Sequence, residues 1–206
     1  GIYASDCLMK SAAAQDPGVS IDILERMPAP FGLIRYGVAP DHPRIKGIIA
    51  NLHKVLNKQQ VRFFGNVEFG TDVTLDNLLQ YYDAVIFATP TRYGVYASQL
   101  KAFIDSLGPQ WQQGLLADKA YAGIVSTATA HGGQEMTLQS LYTTVAHFGG
   151  IIVPPGYTDA SKFVDGNPYG VGHVDGGGQN EPGEVEFTAV DHLVNRLLGV
   201  AEKLAA

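Results

Sequence analysis

Apolar positions along the chain switch between two periods. From Gly1 to Ala14, the residues Ala4, Cys7, Leu8 and Ser11 recur at steps of three and four, which predicts a helix that Asp16-Pro17-Gly18 ends. Val19 to Glu25 is a β-branched run of strand length, broken by Pro28, Pro30 and Gly32. The helical period returns from Asp41 to Leu56, Val61 to Phe69 reads as a short edge strand, and Leu75 to Tyr82 reads as a brief helix capped by Thr74. Ala84-Val85-Ile86-Phe87-Ala88 is continuously apolar, as in a parallel strand covered on both faces. A loop from Thr89 to Gly94, a helix from Ala97 to Leu107 and a strand from Ala120 to Thr127 follow. Gly132-Gly133 then opens a helix through Phe148, Ile151 to Val153 is a strand stopped by Pro154-Pro155, and Glu184 to Leu204 is an amphipathic helix. This rhythm predicts one α/β domain over residues 1–206, a doubly wound parallel sheet of about five strands in a three-layer arrangement. Gly156 to Gly183, 28 residues rich in glycine, reads as a long functional loop.

Composition narrows the function classes. With 14 Lys+Arg against 20 Asp+Glu, a formal charge of −6 argues against a nucleic-acid surface, which needs clustered cations. The single cysteine, Cys7, lies on the apolar side of the first helix and reads as a buried structural thiol. With no signal peptide and no long apolar run, the sequence implies a cytoplasmic protein without a membrane span. The histidines at 42, 53, 131, 147, 173 and 192 show no short metal spacing, so no metal is expected. Ser126, His131 and Glu135 lack the Gly-x-Ser-x-Gly elbow of a hydrolase, and no residue is assigned as catalytic.

Two sets of motifs carry resemblances. Gly1-Ile2-Tyr3-Ala4, Ile21-Asp22-Ile23-Leu24-Glu25, the run from Pro30 to Pro43 and Phe63-Phe64-Gly65-Asn66-Val67-Glu68 resemble the FAD-binding part of the adrenodoxin reductase and ferredoxin–NADP reductase family. Thr89-Pro90-Thr91-Arg92-Tyr93-Gly94, Trp111, the run from Ser126 to Glu135, Thr143-Thr144-Val145-Ala146-His147 and Asn167-Pro168-Tyr169-Gly170 resemble the WrbA family, flavodoxin-like NAD(P)H:quinone oxidoreductases that bind FMN. The two likenesses overlap at Tyr82 to Thr89, which implies a chimera with a reductase-like half, 1–89, and a WrbA-like half, 90–206.

The WrbA resemblance implies a flavodoxin-like or Rossmann-like fold and two-electron reduction of a quinone, or another small planar acceptor, by NAD(P)H through FMN. By resemblance the flavin contacts are Thr91, Arg92, Tyr93, Ser126, Thr127, Thr129, His131, Gly132 and His147, with Trp111 at the substrate. The same resemblance implies a homo-oligomer, dimer or tetramer. The reductase resemblance offers FAD as the alternative cofactor, held by Glu25 and Leu33, although Glu25 also reads as a solvated strand-end carboxylate; Arg35 and His42 read as structural loop residues. Gly132-Gly133 could alternatively serve only as a helix cap.

Both families place a strand and a phosphate-binding turn before the first helix, and neither is present here. Weakened nucleotide affinity is therefore expected, and a silent scaffold, engineered or recombined, stands as the alternative to an enzyme. With that first strand missing, Val19–Glu25 is expected to pair directly with Ala84–Ala88.

Overall fold

The computed structural model describes residues 21–25, 27–30, 49, 52–68, 71–74, 77–78 and 82–205. The predicted first helix with Cys7, and Leu33, Arg35 and His42, lie outside them. The chain divides into two compact units, Gly1–Leu78 and Leu79–Ala206.

In the first unit, β1 (Ile21–Glu25) pairs in parallel with β2 (Val61–Gly65), in the register Ile21 to Val61 through Glu25 to Gly65. Parallel pairing needs a crossover, and residues 52–56, within the segment joining the strands, are helical with Leu52 and Val55 buried. Arg62 of β2 grips Asp22 of β1 through two hydrogen bonds, Nε to Oδ1 at 2.6 Å and Nη2 to Oδ2 at 2.8 Å.

The second unit is built around β5 (Ala120–Thr127). Along one edge it pairs in parallel with β3 (Ala84–Arg92), which continues through a tight turn into antiparallel β4 (Val95–Tyr96). The other edge is shared: β6 (Ile151–Ile152) takes its start and β7 (Val171–Val174) takes its end, both in parallel. Side chains of β5 alternate between two cores, as the strand period of two requires. Ala120 and Ala122 join Leu193, Leu197 and Ala201 of α5 (Glu184–Ala205), while Tyr121 joins Leu141 and Val145 of α3 (Gln134–Phe148) and Ile104 of α1 (Ser98–Ser106). Helices thus cover both faces of a mostly parallel sheet, the three-layer arrangement read from the sequence.

Tyr121 shows how closely these layers fit. Its ring stacks on Phe87 with centroids 6.0 Å apart, its hydroxyl donates to the Leu116 carbonyl at 2.8 Å, and burial pushes its pKa up to about 12. A Cβ on Gly150 would stand 2.4 Å from that ring, and one on Gly123 would stand 2.6 Å from Leu138 of α3.

Four expectations need correction. Among the described residues β1 pairs with β2 and not with β3, so the five strands of the larger sheet are β3 to β7 and exclude Ile21–Glu25. The apolar strand does not stop at Ala88: hairpin bonding to β4 carries it on to Arg92. The region from Gly156 to Gly183 is not structureless, because it contains α4 (Lys162–Asp165) and the whole of β7. Finally, α2 (Gly108–Gln112), which holds Trp111, was not anticipated. No helix among the described residues is long and apolar enough to cross a membrane.

Candidate functional site

Ligands of doubly wound sheets bind beyond the carboxyl ends of the strands. At that end of β3, Tyr93 and Gly94 form a two-residue hairpin turn with φ of +52° and +83°, the left-handed pair that such a turn requires. The Tyr93 side chain is fully exposed at its tip, and Arg92 Nη1 donates to the Thr91 carbonyl at 2.9 Å. Buried Thr89 accepts the Ala97 amide N–H on Oγ1 at 3.1 Å, so the hairpin is anchored to the start of α1.

At the end of β5 a second turn forms. The Thr127 hydroxyl donates to the Thr129 carbonyl at 2.8 Å and accepts from Gln134 Nε2 at 3.0 Å, and the Gly132 amide donates to the same Thr129 carbonyl at 3.0 Å. Gly132 is tightly enclosed, since a Cβ there would lie 2.9 Å from the Thr127 Cβ. Gly133, at φ +94°, is the N-cap of α3. Thus the glycine pair does cap the helix, and the same conformation shapes the turn.

The two turns meet. A Cβ on Gly133 would stand 3.0 Å from the Gly94 Cα, and the Thr137 hydroxyl, donating to the Gly133 carbonyl at 2.8 Å, lies 3.1 Å from Thr91 Oγ1. Thr91, Arg92, Tyr93, Thr127, Thr129, His131 and Gly132 are therefore gathered at one end of the sheet, and Ser126 faces His173 across the β5–β7 ladder. His147 and Trp111 stand elsewhere. They lie near the far end of α3, about 21 Å along the helix from Gly133 at 1.5 Å per residue, where Trp111 Nε1 donates to the His147 carbonyl at 2.8 Å. A 15-residue helix cannot bring both of its ends to one pocket of one chain. In the other unit, Glu25 Oε1 accepts the Met27 amide at 3.1 Å, the behaviour of a strand-end carboxylate.

Beside the second turn lies a cavity of about 360 Å³ lined by Ala130, His131, Gly133, Gln134, Glu135, Met136, Asp165, Gly166 and Asn167. Asp165 to Asn167 come from the glycine-rich region, where sequence reading marked Asn167-Pro168-Tyr169-Gly170 as a family motif but gave it no role. Their position is fixed by Lys162, which is wholly buried and donates to the Asp165 carboxylate and, at 3.0 Å, to the Gly170 carbonyl. Burial pulls the Lys162 pKa down, and Asp165 works against that shift. Tyr142, whose phenol burial pushes up to about 12, stays protonated and donates to the Tyr169 carbonyl.

The chain matches the profile of a family described as NADPH-dependent FMN reductase over residues 71–165. It is 39% identical over 149 residues to a curated NAD(P)H dehydrogenase (quinone) of Chromohalobacter salexigens, covering 68% of this chain and 74% of that one. The chain spans 62% and 66% of the length of two further curated relatives of the same name. Among solved structures, a WrbA-like flavodoxin of Agrobacterium tumefaciens superposes with a TM-score of 0.50 at 18% identity, over 89% of this chain and 97% of that one, a likeness of fold. FprA of Mycobacterium tuberculosis, 38% identical, covers 46% of this chain and 22% of its own with a TM-score of 0.38.

Proposed function

The chain belongs to the NAD(P)H dehydrogenase (quinone) family, and on that premise we propose that residues 79–206 form the flavin-binding unit of an enzyme that reduces a quinone, or a similar planar acceptor, with two electrons from NAD(P)H. The observation that carries this reading is the meeting of the Thr91–Gly94 and Thr127–Gly133 turns beyond the ends of β3 and β5.

These residues fit a flat ring. Gly132 and Gly133 have no room for a side chain, which lets the two turns pack closely against each other. Thr91, Arg92 and Tyr93 would hold it from the first turn, and Ser126, Thr127, Thr129, His131 and Gly132 from the second. Bound flavin supplies a ring system that takes a hydride and gives up two electrons. The chain would contribute position: two turns tied through Thr91 and Thr137, beside a helix start whose N-cap glycine makes no side-chain cap bond, would hold the ring.

FMN is favoured over FAD because the family profile that matches residues 71–165 is described as an FMN reductase. We assign His147 and Trp111 to the site of a second copy of the chain in a dimer or tetramer, since their end of α3 is remote from their own turns. The start of the family match at residue 71, near the unit boundary after Leu78, supports a separate origin for the first unit.

The test is steady-state reduction of 1,4-benzoquinone by NADPH with FMN supplied. One NADPH is expected to disappear per quinone, and Gly133→Val, which would drive a side chain into Gly94, is expected to abolish turnover. Equal rates with and without FMN, or an unaffected Gly133→Val protein, would refute the proposal.

A further inference from the structure

The ring of His173, on β7, stands between two hydrogen-bond partners. Nδ1 lies 3.0 Å from Glu186 Oε1 of α5, and Nε2 lies 3.1 Å from the Asn180 carbonyl oxygen. Both partners can only accept, one being a carboxylate and the other a backbone carbonyl. A neutral imidazole carries a single N–H and can meet only one of them, so the observed pair of contacts belongs to the imidazolium. The charged groups that act on the ring are both anionic, Glu186 from α5 and Asp175 just beyond its own strand, and β5 sets the neutral Ser126 opposite it. Burial disfavours the charged ring, yet the bonds to Glu186 and Asn180 and the two negative charges raise its pKa. The side chain is 13% exposed, so its proton can exchange with solvent.

The second acceptor belongs to a loop. Residues 175–183 join β7 to α5 and leave the sheet at the same end as the Thr127–Gly133 turn, since β7 is parallel to β5 and the Asp175 amide donates to the Thr127 carbonyl at 2.8 Å. Gly176, Gly177 and Gly178 hold φ of +60°, +76° and +85° in succession, and glycine gains more backbone freedom on release than any other residue. The loop folds about Asp175, whose carbonyl accepts the amides of Gly178, Gln179 and Asn180 at 2.8 to 3.0 Å and whose carboxylate accepts that of Gly177 at 2.8 Å. Those bonds are internal to the loop. Asn180 ties it back to the strand, through a long contact from Nδ2 to the Val174 carbonyl at 3.3 Å and through its own carbonyl to His173. At the far end the Gly183 amide donates to Glu186 Oε2 at 3.0 Å, so Glu186 holds both the loop and the ring.

We propose that His173 is a proton-operated latch on the glycine loop 175–183, holding it down when charged and releasing it when neutral. The proton leaves from Nε2, because the Nδ1–H bond to a carboxylate is charge-assisted and the stronger of the two. The bare Nε2 lone pair then faces the Asn180 carbonyl oxygen, acceptor against acceptor, and that contact opens. The loop is thus closed in mild acid and loosened above neutrality, beside the turn that follows β5. Its effect on a ligand there rests on the flavin reading of that turn, whereas the latch itself does not.

Nuclear magnetic resonance on the isotope-labelled full chain, with no ligand added, tests the latch. Between about pH 5.5 and 8.5 the ring shifts of His173 follow its proton, and order parameters from Cα relaxation of Gly176, Gly177 and Gly178 follow loop motion. One midpoint is expected for both, with order parameters falling from about 0.85 to below about 0.6 as pH rises. Glu186→Gln, which keeps an acceptor but removes the charge, is expected to lower that shared midpoint by about half a pH unit. His173→Gln is expected to abolish the pH dependence of the loop. A loop whose motion does not follow the ring proton, or a midpoint that stays in place in Glu186→Gln, would overturn the inference. Absence of FMN binding would sink the flavin reading alone, because no step of this test uses the ligand.

Discussion

At the scale of single residues, glycines determine how closely the parts of the second unit approach, and they are the least legible feature of a sequence read alone. Gly170 permits β7 to enter beside β5, because a Cβ there would stand 2.4 Å from the Gly123 carbonyl oxygen, a backbone atom that cannot rotate away. Gly170→Ala is expected to cost about 1–3 kcal/mol, read as a lower urea midpoint at unchanged slope. His173 makes a different kind of contact: its ring bonds Glu186 of α5 at 3.0 Å and the Asn180 carbonyl at 3.1 Å. Burial opposes the imidazolium, yet these two acceptors outweigh it and the His173 pKa rises; burial likewise opposes the Glu186 carboxylate, yet the bonds from His173 and the Gly183 amide bring its pKa down. The raised histidine stabilises the fold fully below its ordinary pKa of about 6.5 and loses that contribution as pH climbs through the folded value. The lowered Glu186 contributes above its ordinary value of about 4.3 and loses its share as pH falls through the folded value. The clasp is therefore strongest between about pH 4.3 and 6.5. His173→Gln is expected to flatten the decline in urea midpoint between pH 6 and 8, and an unchanged decline would contradict this.

At the scale of elements, what could be read depended on how many residues shared one signal. β5 and α3 are long and uniform, and their observed bounds, Ala120–Thr127 and Gln134–Phe148, agree with the sequence reading to within two residues. β7 has four residues, two of them Gly172 and His173, and its pattern is lost among the glycines that make its pairing possible. Pro90 and Gly94 signal a break at the end of β3, whereas antiparallel bonding to β4 overrides that local signal. The same balance governs the site. The two turns are legible because motif residues cluster there, but Asp165 and Asn167 reach the cavity from the segment just before β7, a strand whose pattern the glycines hide. The contact between the turns gives an expectation of its own: Thr137→Val, which removes the hydroxyl between Gly133 and Thr91, is expected to weaken FMN binding several-fold with little loss of helix, measured by flavin fluorescence and circular dichroism.

At the scale of the whole molecule, two compact units with separate sheets predict two unfolding transitions in calorimetry. A ligand of the second unit alone should move only one of them. At FMN one hundredfold above its Kd that transition gains about 2.7 kcal/mol, a shift of several degrees, and the other stays in place. The central claim is that the turns at Thr91–Gly94 and Thr127–Gly133 hold a flavin, and visible spectroscopy tests it most directly. On titration of FMN into the protein, the account predicts saturable perturbation of the flavin bands with one FMN per chain, abolished by Gly133→Val. Flavin bands that stay at their free-solution positions throughout the titration, or that shift equally with the Gly133→Val protein, would contradict it.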